Sequence, residues 1–263
     1  MKISKKLISA IVMLTLSFVM LVTSSFAWFS MNVDVSAKGM TVTAKGDQIY
    51  LEIINEEQDF STITGQTSVS APTATAKKEN LKPTTPVQGI KDGNATQVDP
   101  YDGEASVKWV TNTSNGIDQW QASQVYSYAD DTYYLVNKFK IRLNPDTGAE
   151  TANPLRVSNV KFAETTKITA DFAKCVSVLV VCGNKSQLWT QATTKGVFED
   201  DAESAPNLSA NNEGKFDNTT DGVEVAIYIF FNGNDATCTI SNLKEAIAAS
   251  ENNYTVEVSF SVQ

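Results

Sequence analysis

The sequence predicts an all-β protein, an antiparallel jelly-roll-like β-sandwich with one short helix near the C-terminus. Several segments alternate apolar and polar residues with a period of two, the pattern of a strand with one buried and one wet face. Roughly eight or nine such segments are present. Helices do not recur between them, so the alternation of strands and helices that is typical of a parallel βαβ sheet is missing. Removal of residues 1–27 from the 263-residue chain leaves 236 residues. That length suffices for one large sandwich domain at 39–263.

Residues 1–27 have the features of a secretory signal peptide. Three lysines precede an apolar run from Leu7 to Val22, and small residues flank Phe26. These features predict an N-terminal signal helix that is cleaved between Ala27 and Trp28. The alternative is an uncleaved membrane anchor, since a bilayer is spanned by about 20 residues and the apolar run is almost that long. The serines and threonines at its end, with no basic stop-transfer residues behind them, favour cleavage.

The segment directly behind the leader is the one on which the functional prediction depends. In residues 28–38, apolar side chains occupy alternate positions, and this phase changes at Lys38 and Gly39. We interpret the segment as a strand and these two residues as a hinge, because glycine tolerates a bend. The strand either opens its own domain or pairs with a neighbouring molecule as a donor strand. Its apolar face consists of Phe29, Met31, Val33, Val35 and Ala37.

Composition argues against several classes of function. Loss of the three leader lysines takes the net charge from −9 to −12, which argues against nucleic-acid binding and against anionic membrane surfaces. The chain has no histidine, so Ser-His-Asp and Cys-His catalysis and the HExxH zinc site are excluded. No pair of carboxylates has a spacing that indicates a hydrolase. We therefore predict that the chain is not an enzyme and that it uses no cofactor and no metal.

The three cysteines, Cys175, Cys182 and Cys238, leave two alternatives. If the exported chain forms a disulfide, Cys238 is the expected partner of either Cys182 or Cys175. Cys175 and Cys182 have opposite parity on one strand, so their side chains point to opposite faces. Otherwise all three cysteines are small buried side chains. Three scattered cysteines without a CxxC pair do not indicate a zinc site.

Two antiparallel pairs are predicted in the first two thirds of the domain. Strands at 40–44 and 48–54 flank a Lys-Gly-Asp turn, which predicts a hairpin. Strands at 132–144 and 155–162 flank an Asn-Pro-Asp-Thr-Gly turn, which predicts a second antiparallel pair.

Between these pairs, at about residues 59–105, Ser, Thr, Ala, Pro and Gly dominate and apolar periodicity is lost. We predict a long surface excursion there. Its DPYDGE sequence at 99–104 offers carboxylates to a calcium ion, although their spacing is not that of an EF-hand. Beyond it lie Trp109 and Trp120. In a β-domain such aromatic residues belong to the core or form a platform for glycans.

The last third of the chain contains the most apolar strands. Residues 175–182 are apolar on both parities, which predicts a central strand covered on both faces, and residues 223–231 form the most apolar strand. The polar, acidic stretch at about 195–222 is typical of a solvated loop. Residues 241–250 have a capping residue and predict a helix. The chain ends in an alternating strand at 254–263.

The chain resembles the TasA/camelysin family of Gram-positive secreted β-proteins in three short motifs. An aromatic residue follows the alanine of the leader in SSFA-WFS, a glycine precedes an early strand in GMTVTA, and YTVEVSFSV forms a terminal strand. FFNGNDATC is similar to a turn of secreted clostridial-type relatives. The resemblance implies a jelly-roll subunit of extracellular biofilm-matrix filaments, in which the mature N-terminal segment inserts as a strand into the next subunit.

For this chain, the resemblance implies a head-to-tail homopolymer in the extracellular matrix or at the cell surface, with no membrane association after cleavage. Other matrix proteins and cell-wall components are further implied partners. The metalloprotease activity attributed to camelysin relatives does not carry over, because histidine and HExxH are absent. A secreted adhesin or glycan-binding module, motivated by Trp109 and Trp120, is the other function left open. The implied donor residues are Phe29, Met31, Val33 and Val35.

Overall fold

The computed structural model describes residues 41–44, 51–70, 83–94, 97–100, 107–112, 126–129, 133–147, 152–162, 170–191, 198–200, 208–210, 214–233, 235, 238 and 255–262. All of them belong to the larger of two compact units, Val35–Gln263, and the smaller unit is Met1–Asp34. The predicted leader, its cleavage point at Ala27 and Trp28, the donor segment and the hinge at Lys38 and Gly39 lie outside the described residues. These therefore stay predictions.

The described residues form fourteen β-strands and one α-helix. The helix is α1 (Ala170–Cys175), and two short 3-10 turns span Lys91–Gly93 and Pro145–Thr147. The strands are β1 (Thr41–Ala44), β2 (Leu51–Asn55), β3 (Ser68–Ser70), β4 (Thr85–Ile90), β5 (Val98–Pro100), β6 (Lys108–Asn112), β7 (Tyr126–Tyr128), β8 (Tyr134–Leu143), β9 (Arg156–Phe162), β10 (Val176–Cys182), β11 (Lys185–Gln191), β12 (Phe198–Asp200), β13 (Val223–Phe231) and β14 (Val256–Ser261).

The strands form three sheets. The first has the order β3-β1-β14-β9, the second β12-β11-β10-β13-β8-β2, and the third β5-β4-β6-β7. Every pair of neighbouring strands is antiparallel except β1 and β14, which are parallel. The predicted all-β class with antiparallel sheets is thereby confirmed.

The second sheet is the middle layer. On one face, Trp109 of β6 packs against Leu179 of β10 and Phe230 of β13, so the third sheet covers this face. On the other face, Phe198 of β12 meets Phe162 of β9 with ring centroids 5.1 Å apart, which brings the first sheet into contact. The register places Phe198 and Leu179 on opposite faces of the sheet.

The strand β10 is apolar on both faces because other layers of the protein pack against both of its faces. Successive strand residues point to opposite faces, yet Val178, Leu179 and Val180 are all fully buried. The strand has β11 on one side and β13 on the other. The predicted central strand covered on both faces is therefore confirmed.

The two predicted strand pairs are wrong. β1 belongs to the first sheet and β2 to the second. Every residue of β2 from Leu51 to Ile54 is buried, and a strand that buries both faces fits the middle layer rather than a half-exposed hairpin. Likewise β8 pairs with β13 and β2, whereas β9 pairs with β14. A turn does form at Pro145–Thr147, but the chain then crosses into another layer.

The excursion predicted at about 59–105 contains the regular strands β3, β4 and β5. Thr84 and Thr85 are buried, and Val87 is fully buried with Val110 of β6. Thr84 Oγ1 donates a hydrogen bond to the carbonyl O of Val110 at 2.9 Å. The prediction missed this packing because polar threonines and a proline hide the alternation of β4.

The described helix is not the predicted one. The predicted helix at 241–250 lies outside the described ranges, whereas α1 is too short, at six residues, to show helical periodicity. Within the part of the chain that the structure describes, no helix is both long enough and apolar enough to cross a bilayer.

Candidate functional site

The first sheet holds the strand that follows the predicted hinge. β1 begins at Thr41, two residues after Gly39, and lies between β3 and β14. Thr41 is opposite Glu257 in the parallel ladder and opposite Ser70 in the antiparallel ladder. Neighbours on both sides fix β1 within the sheet. The chain enters β1 at the same end of the sheet at which β14 begins.

The terminal strand β14 has the alternation that the sequence predicts. Val256, Val258 and Phe260 are buried, whereas Glu257 and Ser259 are partly exposed. The strand pairs with β1 on one side and with β9 on the other. The end of the chain therefore belongs to the sheet that also receives β1.

β9 is the edge of this sheet beyond β14. Its register with β14 shifts at Ser158, whose Oγ donates to the carbonyl O of Ser259 at 3.1 Å. Such a bulge bends an edge strand. Lys161 pairs with Glu257 at 3.0 Å on the exposed face. Among the described strands, β14 alone pairs with β9 in a ladder.

The other described edges are short or covered. β3, β5, β7 and β12 have three residues each. At the edge of the second sheet, the loop after β2 folds back onto it, and the backbone N–H of Ile53 donates to the carbonyl O of Gln66 at 2.9 Å. The backbone N–H of Gly65 donates to a carboxylate oxygen of Glu52. The seven-residue β9 is therefore the longest described edge, although Leu155, directly before it, is bridged to Ser209.

Beside β2, a polar cleft of ≈ 520 Å³ opens between the loop after β2 and the turn before β13. Arg142 and Phe60 line it, with the Arg142 guanidinium 4.2 Å from the centroid of the Phe60 ring. Arg142 Nη1 donates to the carbonyl O of Thr220 at 3.1 Å. The other lining residues are Gln58, Asp59, Ser61, Lys140, Asp221, Gly222 and Glu224.

Several of the charges in and beside this cleft have partners. Hydrogen bonds from the backbone and hydroxyl of Ser61 lower the pKa of Asp59, with help from Lys140 and Arg142. Hydrogen bonds to Glu224 and Glu56 raise the pKa of Lys138, and both ion pairs measure 3.2 Å. No group of three or more cysteine or acidic side chains in the described ranges is placed to hold a metal ion. The cleft therefore offers a polar surface lined by charged side chains and hydroxyl groups.

The structure places one of the two predicted glycan-binding tryptophans in the core. Trp109 is only 6% exposed and stacks on Tyr134 with centroids 4.7 Å apart. It meets the edge of Phe230 at 4.8 Å. A glycan platform needs an exposed ring, so Trp109 does not supply one. Trp120 lies outside the described residues.

All three cysteines are buried thiols, and no disulfide joins them. Cys238 Sγ lies 3.8 Å from the carbonyl O of Cys175. Cys182 is at the other end of β10, roughly 20 Å along the strand, so the predicted Cys182–Cys238 pairing is wrong. A disulfide requires Cα atoms within about 7 Å of each other.

Burial keeps the Cys182 thiol protonated. Desolvation, with a smaller effect of the nearby Glu224 carboxylate, raises the pKa of its thiol to about 11. The thiolate is the reactive form. Cys182 therefore stays in the less reactive thiol form at neutral pH.

Comparison of the chain with known protein families, curated proteins and solved structures finds no match. The resemblance to TasA/camelysin proteins therefore stays a prediction that rests on its own short motifs.

Two features of the site were missed from the sequence. The ion pair of Glu52 and Arg142 and the edge position of β9 both depend on which strands become neighbours, a long-range choice. A signal for the ion pair was present, since each charged residue interrupts an apolar strand, in LEII and in KIRL. Charges at such positions need partners, because burying an isolated one is costly.

Proposed function

We propose that this chain is an exported structural subunit that polymerises head to tail into extracellular filaments. In this proposal, residues 28–37 of one copy add as a strand to the first sheet of the next copy, along β9. The proposal is supported by the position of β1, which lies directly behind the hinge and is an internal strand of a sheet that ends in β9. The donor segment is thus tied to a fixed strand, and the acceptor in this proposal is the β9 edge of the next copy.

The reach of the hinge excludes one form of closure within one copy, antiparallel addition to its own β9. The outer side of β9 is three strand spacings from β1, about 14 Å. Residues 38–40 join Ala37 to Thr41 over at most about 14 Å. A strand added antiparallel to β9 of its own copy would place Ala37 at the far end of the sheet from Thr41. That position is beyond the reach of the link.

The chemistry of strand addition fits the donor sequence. A donor satisfies backbone N–H and C=O groups along an edge and buries alternate side chains. Each buried apolar side chain contributes about 1.5–3 kcal/mol, and each backbone hydrogen bond adds about 0.5–1.5 kcal/mol. Both contributions are needed, because ordering the segment costs roughly 1–2 kcal/mol per residue.

The geometry of the contact accounts for filaments. A head-to-tail contact is not self-complementary, and it builds an open filament when the rotation between successive copies does not close a ring. The proposal includes the jelly-roll arrangement and the export expected from the sequence, and it places the polymer at the cell surface or in the matrix. It assigns no catalytic role, which agrees with the absence of histidine from the chain.

The test compares two single lysine substitutions in the processed chain, residues 28–263. Val33→Lys places a charge on the apolar face of the donor, whereas Asn32→Lys adds the same charge on the polar face. We expect Asn32→Lys to form filaments by electron microscopy and light scattering, and Val33→Lys to remain monomeric. Equal polymerisation of both variants would refute strand addition by this segment.

A further inference from the structure

The start of β10 and the segment after β13 bring two cysteines together in the core. Cys175 is the last residue of α1 and directly precedes β10. Its carbonyl O accepts a hydrogen bond from the backbone N–H of Asn232 at 2.7 Å and lies 3.8 Å from Cys238 Sγ. Both cysteines are fully buried.

Consecutive turns hold Cys238 in this position. The backbone N–H of Asp235 donates to the carbonyl O of Asn232 at 3.1 Å, and that of Cys238 donates to the carbonyl O of Asp235 at 2.9 Å. The side-chain amide of Asn232 donates to Ser177 Oγ at 3.1 Å. These hydrogen bonds hold Asn232, Asp235 and Cys238 beside the beginning of β10.

The two cysteines lie near each other. A carbonyl oxygen lies about 2.4 Å from its own Cα and a cysteine sulfur about 2.8 Å from its own Cα, so the 3.8 Å contact places the Cα atoms of Cys175 and Cys238 at most about 9 Å apart. Disulfides join residues whose Cα atoms are about 4.4–6.8 Å apart. Bond formation therefore requires the two side chains to turn toward each other, together with a shift of the turn that carries Cys238 where the separation exceeds that range.

We propose that Cys175 and Cys238 form a disulfide when the chain folds in an oxidising compartment, and that Cys182 stays a thiol. The reaction is thiol–disulfide exchange with an external disulfide, such as that of an oxidoreductase or of oxidised glutathione. The two cysteines lose two protons and two electrons as their S–S bond forms, and the oxidant is reduced to two thiols. Because both cysteines are buried, the exchange takes place before the core closes.

The bond joins the two central strands of the middle layer. It ties the start of β10 to the segment that follows β13, and these strands are neighbours in the second sheet. The two cysteines are 63 positions apart in sequence, so the bond closes a long loop of the unfolded chain. Long closed loops give large stabilisation in the chain-entropy model. The inference is independent of filament formation.

The test is refolding of the reduced, denatured chain in a glutathione redox buffer, followed by alkylation and non-reducing peptide mapping by mass spectrometry. We expect a linked Cys175–Cys238 peptide and alkylation at Cys182 alone. We also expect a Tm about 5–15 °C higher than that of the same protein refolded with reductant. Three alkylated cysteines, or any bridge that includes Cys182, would overturn the proposal.

Single substitutions supply the matched controls. Cys182→Ala should keep both the linked peptide and the response of the Tm to reductant. Cys238→Ala should lose the linked peptide, and its Tm should no longer respond to reductant. If Cys238→Ala fails to fold, the peptide map of the unsubstituted chain still decides the matter. A Cys182→Ala protein that lacks the linked peptide would count against the assignment.

Discussion

Arg142 donates from Nε to the Oε2 of Glu52 at 2.7 Å, and the two residues lie opposite each other in the ladder between β8 and β2. The Glu52 side chain is 1% exposed and that of Arg142 10%. Glu52 also accepts from the backbone of Gly65, and Arg142 donates to Thr220. This ion pair therefore connects two strands and the two loops that flank the polar cleft.

Removal of one partner of this pair should destabilise the protein strongly. Arg142→Met leaves the Glu52 carboxylate buried without its charged partner, which costs about 3–5 kcal/mol. Urea denaturation monitored by circular dichroism measures the loss. The double variant Glu52→Leu/Arg142→Met, which removes both charges, should be more stable than Arg142→Met alone. A loss below about 1 kcal/mol for Arg142→Met would show that the pair is effectively solvated.

Gly222 should not tolerate a side chain. Its φ is +77°, and an added Cβ would lie 2.7 Å from Phe60 Cε2 and 3.2 Å from the carbonyl O of Ile141. Gly222→Ala combines left-handed backbone strain with this clash, so we expect a loss of about 2–4 kcal/mol. Gly214 has a φ of +74° and nothing within 4 Å of an added Cβ. Gly214→Ala should therefore cost only about 1–2 kcal/mol, and equal losses in thermal unfolding would contradict the packing at Gly222.

Trp109 should contribute to stability rather than to ligand binding. Trp109→Ala removes the ring that packs the third sheet on Leu179 and Phe230, at a cost of about 3–5 kcal/mol. Tyr128→Ala, at a position 52% exposed, is the control and should cost about 1 kcal/mol or less. Chemical denaturation compares the two. Loss of stability in Tyr128→Ala alone would place the aromatic core elsewhere.

Stability should fall at alkaline pH in a way that depends on Cys182. Burial raises the pKa of this thiol from its ordinary 9.0 to about 11. Below pH 9 the thiol is protonated in both the folded and the unfolded chain. As the pH rises from 9 to 11 the unfolded chain loses the proton first, so the free energy of unfolding falls by up to about 2–3 kcal/mol.

The control for the pH prediction is Cys182→Ala, which should lack this part of the alkaline loss. Tyr228, whose pKa is raised by burial, and Lys138, whose pKa is raised by its carboxylate partners, titrate in the same region. Both are present in either protein, so the difference between the two urea titration series isolates the thiol. Identical pH profiles would mean that Cys182 is solvated in the folded chain.

Local patterns predicted the strands, and long-range contacts decided how they pair. The apolar run of β10 and the alternation of β14 depend only on neighbours in sequence, and both were predicted. The placement of β1 and β2 in different sheets was not predicted, because it depends on a middle layer that buries both faces of β2. A pattern of alternation shows which face of a strand is dry but does not show against which layer it packs.

In the candidate site, too, local features were predicted and features that depend on long-range contacts were not. The donor segment, the hinge and the cleavage point are local features and were predicted by residue, but they lie outside the described residues. The edge position of β9 and the contact between Cys175 and Cys238 arise from strand order and from a turn that folds back, and no local pattern contains either. Thr84 and Thr85 illustrate a further limit, since hydrogen bonds allow polar residues to be buried where composition indicates a surface loop.

Sedimentation velocity tests most directly the central claim that residues 28–37 assemble the chain by strand addition. The experiment compares the processed chain, residues 28–263, with a chain that begins at residue 38. Both chains contain β1 and β9, and they differ only in the donor segment. We expect the longer chain to form polymers whose size grows with protein concentration and the shorter chain to stay monomeric. Polymers of the shorter chain, or a longer chain that remains monomeric at high concentration, would contradict assembly by strand addition.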